Sequence, residues 1–86
     1  MKKRFELEVT PRFSKLLRAL SRDAQLRVLC EVRLLEVDPH LGKPLRGDFK
    51  GVYSMRIGDY RVLYELAARK VVLLTVDHRR HVYGED

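Results

Sequence analysis

The stretch from Gly51 to Tyr64, GVYSMRIGDYRVLY, constrains the fold more than any other part of this 86-residue chain. Apolar and polar residues alternate on both sides of Gly58-Asp59, and a period of two is typical of half-buried strands. Glycine followed by aspartate suits a two-residue type II′ turn, so the stretch predicts a β-hairpin. Such a turn fixes the register and places Tyr53 opposite Tyr64 on an aromatic and aliphatic face.

The same register places Arg56 directly opposite Arg61 on the other face of the hairpin. Like charges in this position destabilise a sheet, so the pair needs an explanation. One interpretation is that both side chains extend into water and have no role. The other is that they hold an anion between them, because the planar guanidinium group is suited to binding phosphate.

The flanking sequence predicts two helices and two further strands. Residues 5–9 alternate like a strand, and Thr10-Pro11 is typical of a helix start. Ser21 ends this helix and caps a second one, which stops before Pro39. The apolar spacing predicts these core-facing residues: Phe13, Leu16, Leu17 and Leu20 in the first helix, and Leu26, Leu29, Cys30, Leu34 and Val37 in the second.

Together these elements predict a single domain over residues 1–86 with an α+β fold. A two-helix hairpin packs on a mainly antiparallel four-stranded sheet in the order β-α-α-β-β-β. The strands are expected near residues 5–9, 52–57, 60–66 and 70–77, and residues 40–50 are expected to form a loop. The last strand is almost wholly apolar, which is typical of a central strand covered on both faces.

The composition favours a polyanionic partner. The net charge is +6, from 18 lysines and arginines against 12 acidic residues, and nucleic acid is the simplest partner for such a surface. A basic surface kept for solubility is the competing explanation. The single cysteine cannot form an internal disulfide, which makes the cytoplasm the expected compartment. No apolar run approaches the roughly 20 residues that span a bilayer, so no membrane association is expected.

Motifs for metals and cofactors are missing from the sequence. His78 and His81 are three residues apart but have no further cysteine or histidine at zinc-ligand spacing. No phosphate-binding glycine motif occurs, and Asp59 and Asp77 stand at a turn and a strand end. The sequence therefore predicts neither a metal site nor a cofactor.

Three segments, by their sequences and by their order and spacing, resemble the RelE family of bacterial and archaeal toxins, within the RelE/ParE superfamily. They are KPLRG at 43–47, VYSMRIGDYRVLYE at 52–65 and HRRHVY at 78–83. The resemblance implies the same fold and a toxin that cuts messenger RNA in the ribosomal A site. It also implies a metal-free reaction, in which the 2′-hydroxyl attacks the adjacent phosphate and leaves a cyclic phosphate and a free 5′-hydroxyl. Negative charge then builds on the phosphoryl oxygens, and positioned cations stabilise this charge.

The resemblance also implies roles for particular residues. Arg61 matches the family's transition-state arginine, and Arg56 matches a basic residue that brackets the scissile phosphate. Arg79, with Arg80 as its alternative, matches an arginine that protonates or steadies the leaving oxygen. Tyr83 matches a tyrosine that stacks on or orients the cleaved nucleotide, although a packing role at the sheet edge is an equal alternative.

The remaining expectations concern proton transfer and RNA contact. His78 is expected to act as general acid or base, or else to form a hydrogen bond with the backbone at a strand end. The best-studied branch has a lysine where this chain has Ser54, so the catalytic set is incomplete against that branch. The residues expected to contact RNA phosphates are Lys43, Arg46, Lys50 and Arg80.

Three function classes follow from the resemblance. The first is a ribosome-dependent mRNA endoribonuclease restrained by an acidic, partly disordered antitoxin, which forms a hetero-oligomer with it and docks on the first helix. The second is a non-enzymatic inhibitor of DNA gyrase like the ParE branch, which shares the GDYRVLY motif. The third is a degenerate toxin kept as a binding module, for which Ser54 is the main argument. The terminal HRRHVY segment favours the first class.

Overall fold

A computed structural model describes residues 4–45, 47 and 51–78 of the chain. Within these residues the predicted element order is confirmed, with one added strand. The elements are β1 (Glu6–Val9), α1 (Pro11–Arg18), α2 (Arg22–Val32), a 3₁₀ helix (Arg33–Glu36), β2 (Lys43–Pro44), β3 (Val52–Ile57), β4 (Tyr60–Ala67) and β5 (Lys70–His78).

The strands form one sheet in the order β1-β5-β4-β3-β2, in which β1 runs parallel to β5 and the other neighbours are antiparallel. Over the described residues the sheet therefore has five strands, where the sequence predicts four. The addition is β2, in the segment expected to be a loop. Two residues are too few to show an alternating pattern, and proline is tolerated in a strand only at an edge or end.

The two helices pack on one face of the sheet and enclose the core with β3, β4 and β5. Phe13 of α1 is fully buried there, and the other three residues of the predicted stripe, Leu16, Leu17 and Leu20, are partly buried against the core. The buried hydrophobic core consists of Phe13, Val28, Val32, Leu35, Met55, Ile57, Val62, Tyr64, Val71, Leu73 and Val76.

The predicted inner face of α2 is wrong. Its leucines and the following Leu34 point outward, with exposed fractions of 57% for Leu26, 40% for Leu29 and 47% for Leu34. Cys30 is also exposed. Apolar residues occur with helical spacing on both sides of α2, and periodicity alone does not say which side meets the sheet. The side that packs inward carries Val28, Val32 and Leu35.

The start of α1 is tied to the sheet through Thr10. The Thr10 hydroxyl accepts a hydrogen bond from the Phe13 amide at 3.2 Å, as expected for an N-cap, and donates one to the Leu73 carbonyl at 2.7 Å. The β4–β5 register shifts at Leu63/Tyr64, beside this contact. The alternation along β5 is interrupted at this point: Val71 and Leu73 are buried before it and Val76 after it, and Leu74 and Thr75 between them are partly buried.

Candidate anion-binding cleft

The hairpin has the predicted register, so the two arginines lie on one face of the sheet. Arg56 pairs with Arg61. Gly58 has a φ of +61°, and Ala68 is the one non-glycine residue with positive φ in the described ranges. The conformation is therefore that of a type II′ turn, in which only the first central residue needs positive φ. The local sequence signal alone sets this part of the site.

The short strand β2 adds a third cation to the arginine face. Lys43 pairs with Ser54, so both residues share the face that carries Arg56 and Arg61. A cleft of about 450 Å³ opens on this face, next to the two-residue strand β2 and along β3. It is lined by Glu31, Leu34, Leu41, Gly42, Lys43, Ser54, Met55, Arg56 and Arg61. Three cations and one carboxylate give the cleft a net positive charge.

The two arginines are held differently. Arg61 lies on the central strand β4, is half-buried, and donates a long hydrogen bond from Nη1 to the Ser54 hydroxyl at 3.4 Å. Arg56 is exposed, and its Nε donates to the Gly58 carbonyl at 3.4 Å. Asp77 is opposite Arg61 on β5, so a carboxylate on the same face offsets part of the repulsion between the arginines. Arg61 is thus the better fixed of the two cations.

Tyr64 fixes the loop that forms one rim of the cleft. Its ring is fully buried, and its hydroxyl donates to the Pro39 carbonyl at 2.8 Å and accepts from the Gly42 amide at 2.9 Å. A Cβ at Gly42 would lie 2.7 Å from this hydroxyl, so glycine permits the close approach. Burial raises the pKa of Tyr64, which keeps the phenol neutral and able to donate. The clamp places Lys43 at the cleft.

Of the residues expected to act in the reaction, the described structure brings together Lys43, Arg56 and Arg61 and leaves His78 apart. His78 is opposite Tyr60, and their ring centroids are 5.9 Å apart. Tyr60 in turn pairs with the buried Ile57, so His78 belongs to the helix-covered face at the end of β5. Five further expected residues lie outside the described residues: Arg46, Lys50, Arg79, Arg80 and Tyr83.

Sequence reasoning missed the part of the cleft that comes from α2 and the following loop. Glu31 lines the cleft beside the cations, together with Leu34 and Leu41. The wrong choice of inner face for α2 hid Glu31, because that choice placed it away from the sheet. No sequence signal marks Glu31, because the predicted second helix continues to just before Pro39 and places this residue in its interior.

Two negative findings apply to residues 4–45, 47 and 51–78. No group of three or more histidine, cysteine, aspartate and glutamate side chains is placed to hold a metal ion. No helix among these residues has the length and apolar character needed to cross a membrane.

Comparisons with known proteins agree with this fold. The family model described as the ParE toxin of the type II toxin–antitoxin system parDE matches residues 7–83. Toxin RelG of Mycobacterium tuberculosis is 47% identical over 45 residues, which cover 50% of this chain and 52% of the relative. The chain thus spans about half the length of that curated relative.

Among solved structures, a chain of the toxin–antitoxin complex RelBE2 from Mycobacterium tuberculosis is similar with a TM-score of 0.81 and 32% identity, over 86% of this chain and 96% of that chain. A chain of the chromosomal ParDE system of P. aeruginosa has a TM-score of 0.74 at 13% identity, over 87% and 96% of the two chains, a likeness of fold alone. The family model and the RelBE2 likeness both span most of the chain. The chain therefore belongs to the ParE toxin family of type II toxin–antitoxin systems, within the RelE/ParE superfamily.

Proposed function

We propose that the protein is the toxin of a toxin–antitoxin pair and a ribosome-dependent endoribonuclease that cuts messenger RNA. The observation that carries the proposal is the cleft in which Arg56, Arg61 and Lys43 share one sheet face. Three cations around one cleft suit a phosphodiester, whose charge grows in the transition state.

In the proposed reaction the 2′-hydroxyl attacks the adjacent phosphorus, and the bond from phosphorus to the 5′ oxygen breaks. Arg61 stabilises the developing charge on the phosphoryl oxygens, because its half-buried position on a central strand keeps it preorganised. Arg56, which is exposed beside the turn, contacts the incoming phosphate. Lys43 binds the neighbouring phosphate of the RNA backbone at the rim of the cleft. No metal takes part in these steps.

The products of the reaction test this proposal. The purified protein is mixed with ribosomes programmed with a defined messenger RNA, and the ends of the fragments are identified. Ends carrying a 2′,3′-cyclic phosphate and a 5′-hydroxyl are expected, and a 2′-deoxy nucleotide at the cut site should prevent cleavage. Cleavage that persists on the 2′-deoxy substrate would show that the 2′-hydroxyl is not the nucleophile.

A second candidate is a non-enzymatic inhibitor of DNA gyrase. The match to the ParE family model favours it. Ser54, which is 7% exposed, also favours it, because the best-studied RelE branch carries a lysine at this position. A DNA supercoiling assay with purified gyrase separates the candidates. Inhibition of supercoiling without cleavage of ribosome-bound messenger RNA would replace the first proposal by the second.

The proposal includes an acidic antitoxin that folds on the toxin as it binds. Its support is the solvent face of α2 and the following 3₁₀ helix, where Leu26, Leu29 and Leu34 are 40–57% exposed, with Arg27 and Arg33 also exposed beside them. An amphipathic helix with acidic borders complements such a surface. The sequence favours docking on α1, but its leucines are partly buried against the core. We therefore place the docking surface on α2.

A further inference from the structure

The proposed cleavage needs a proton acceptor for the 2′-hydroxyl, and the cations of the cleft cannot supply one. Lysine and arginine are protonated at neutral pH. His78 could accept a proton, but it lies on the helix-covered face of the sheet. Asp77 shares the arginine face, yet it does not line the cleft, and its Oδ1 accepts the His78 amide at 2.7 Å.

We infer that Glu31 is the general base of this reaction, an inference that rests on the proposed function. Among the described residues, Glu31 supplies the one carboxylate that lines the cleft with Lys43, Arg56 and Arg61. It is half-buried, so it meets both the cleft and solvent. A phosphodiester held by the arginines would lie within the same cavity as this carboxylate.

The position of Glu31 is unfavourable for the helix, which argues that the cleft maintains it. Glu31 is in the last turn of α2, and this turn contains no basic residue. A carboxylate there opposes the helix dipole. The three cations that line the same cleft offset this unfavourable interaction.

The protons of this step balance when water protonates the leaving 5′ oxygen. Glu31 takes the proton of the 2′-hydroxyl while the 2′ oxygen forms its bond to phosphorus. The bond to the 5′ oxygen breaks, and the electron pair stays on this oxygen, which takes a proton from water. The hydroxide so formed removes the proton from Glu31 and restores the carboxylate.

The test is single-turnover cleavage of messenger RNA on programmed ribosomes, at a protein concentration that saturates the rate. Glu31→Gln and Glu31→Ala should each cut about 10²–10⁴-fold more slowly than the wild type, the usual contribution of a general base. Added formate should restore at least part of the rate to Glu31→Ala, whereas chloride at equal ionic strength should not. Glu31→Asp should be intermediate.

The matched control is Glu65→Gln. Glu65 is on the same face of β4 as Arg61, but it does not line the cleft. This variant should cut at the wild-type rate. If the wild type cuts and Glu31→Gln cuts equally fast, Glu31 is not the base, although the proposed function stands. A slow Glu31→Ala that formate does not rescue would also overturn the base role. A wild type that does not cut would overturn the function and this role together.

Discussion

Tyr64 is the residue on which the shape of the cleft most depends. Its ring is stacked on Tyr53 with centroids 5.5 Å apart, and its hydroxyl joins two backbone groups of the loop before β2. A side chain from the middle of the sheet thus fixes Gly42 and, next to it, Lys43. The clamp explains how a two-residue strand keeps a defined position.

Replacing the clamp by Tyr64→Phe should destabilise the fold. The Pro39 carbonyl and the Gly42 amide would lose their partner in a partly buried place, which costs about 1–3 kcal/mol in the free energy of unfolding. Urea denaturation measures the change. Tyr53→Phe is the control, because it keeps the ring stack, and it should change stability by less than half as much. Equal effects of the two variants would contradict the clamp.

Ala68 carries backbone strain in the turn between β4 and β5. Its φ is +57°, a region that costs a residue with a Cβ about 1–2 kcal/mol. Ala68→Gly should therefore raise the free energy of unfolding by about 0.5–1 kcal/mol, after the entropy cost of glycine is subtracted. Ala67→Gly, one residue earlier in β4, should instead lower it by a similar amount. Thermal unfolding of both variants checks the opposite signs.

At the scale of elements, the hairpin could be predicted and the orientation of α2 could not. Residues 51–64 alone set the turn, the strand alternation and the arginine register, so all three can be predicted from the local sequence. The side of α2 that packs on the sheet depends on contacts between distant segments. For the same reason the sequence did not reveal Glu31 at the cleft, or β2, whose pairing depends on the Tyr64 clamp.

The orientation of α2 predicts different losses in the free energy of unfolding for two alanine substitutions. Val28→Ala should lower the free energy of unfolding by about 1.5–3 kcal/mol, because Val28 is fully buried. Leu26→Ala should change it by no more than about 0.5 kcal/mol, because Leu26 is 57% exposed. Chemical denaturation gives both values. A larger loss for Leu26→Ala than for Val28→Ala would show that the leucine face packs inward after all.

At the scale of the whole molecule, the site and the proposed docking surface meet at one edge. Leu34, in the 3₁₀ helix after α2, continues the exposed leucine row of α2 and also lines the cleft, so a partner on this row reaches the arginines. Cys30 lies on the same outer side and is the only cysteine of the chain. Its thiol is therefore a native reporter of what covers α2.

Binding of the acidic antitoxin should protect Cys30 from alkylation by a maleimide. Leu26→Glu should weaken the complex by at least tenfold, because it adds a charge to the apolar row and repels acidic borders. Mass spectrometry measures the labelling, and titration calorimetry measures the affinity. Arg12→Glu on α1 is the control for a general loss of positive charge. If Cys30 labels at the same rate in the complex, the antitoxin docks elsewhere.

The central claim is that the arginine face of the sheet is the active site, and Arg61 tests it most directly. The measurement is the single-turnover rate of messenger RNA cleavage on programmed ribosomes, with folding checked by circular dichroism. Arg61→Ala should lower the rate about 10²–10³-fold, the usual cost of one preorganised donor. Arg61→Lys should restore it only in part, because an ammonium lacks the bidentate fork. Arg12→Ala, which removes an equal charge from an exposed position on α1, should cut like the wild type. A folded Arg61→Ala that cuts at the wild-type rate would contradict the claim.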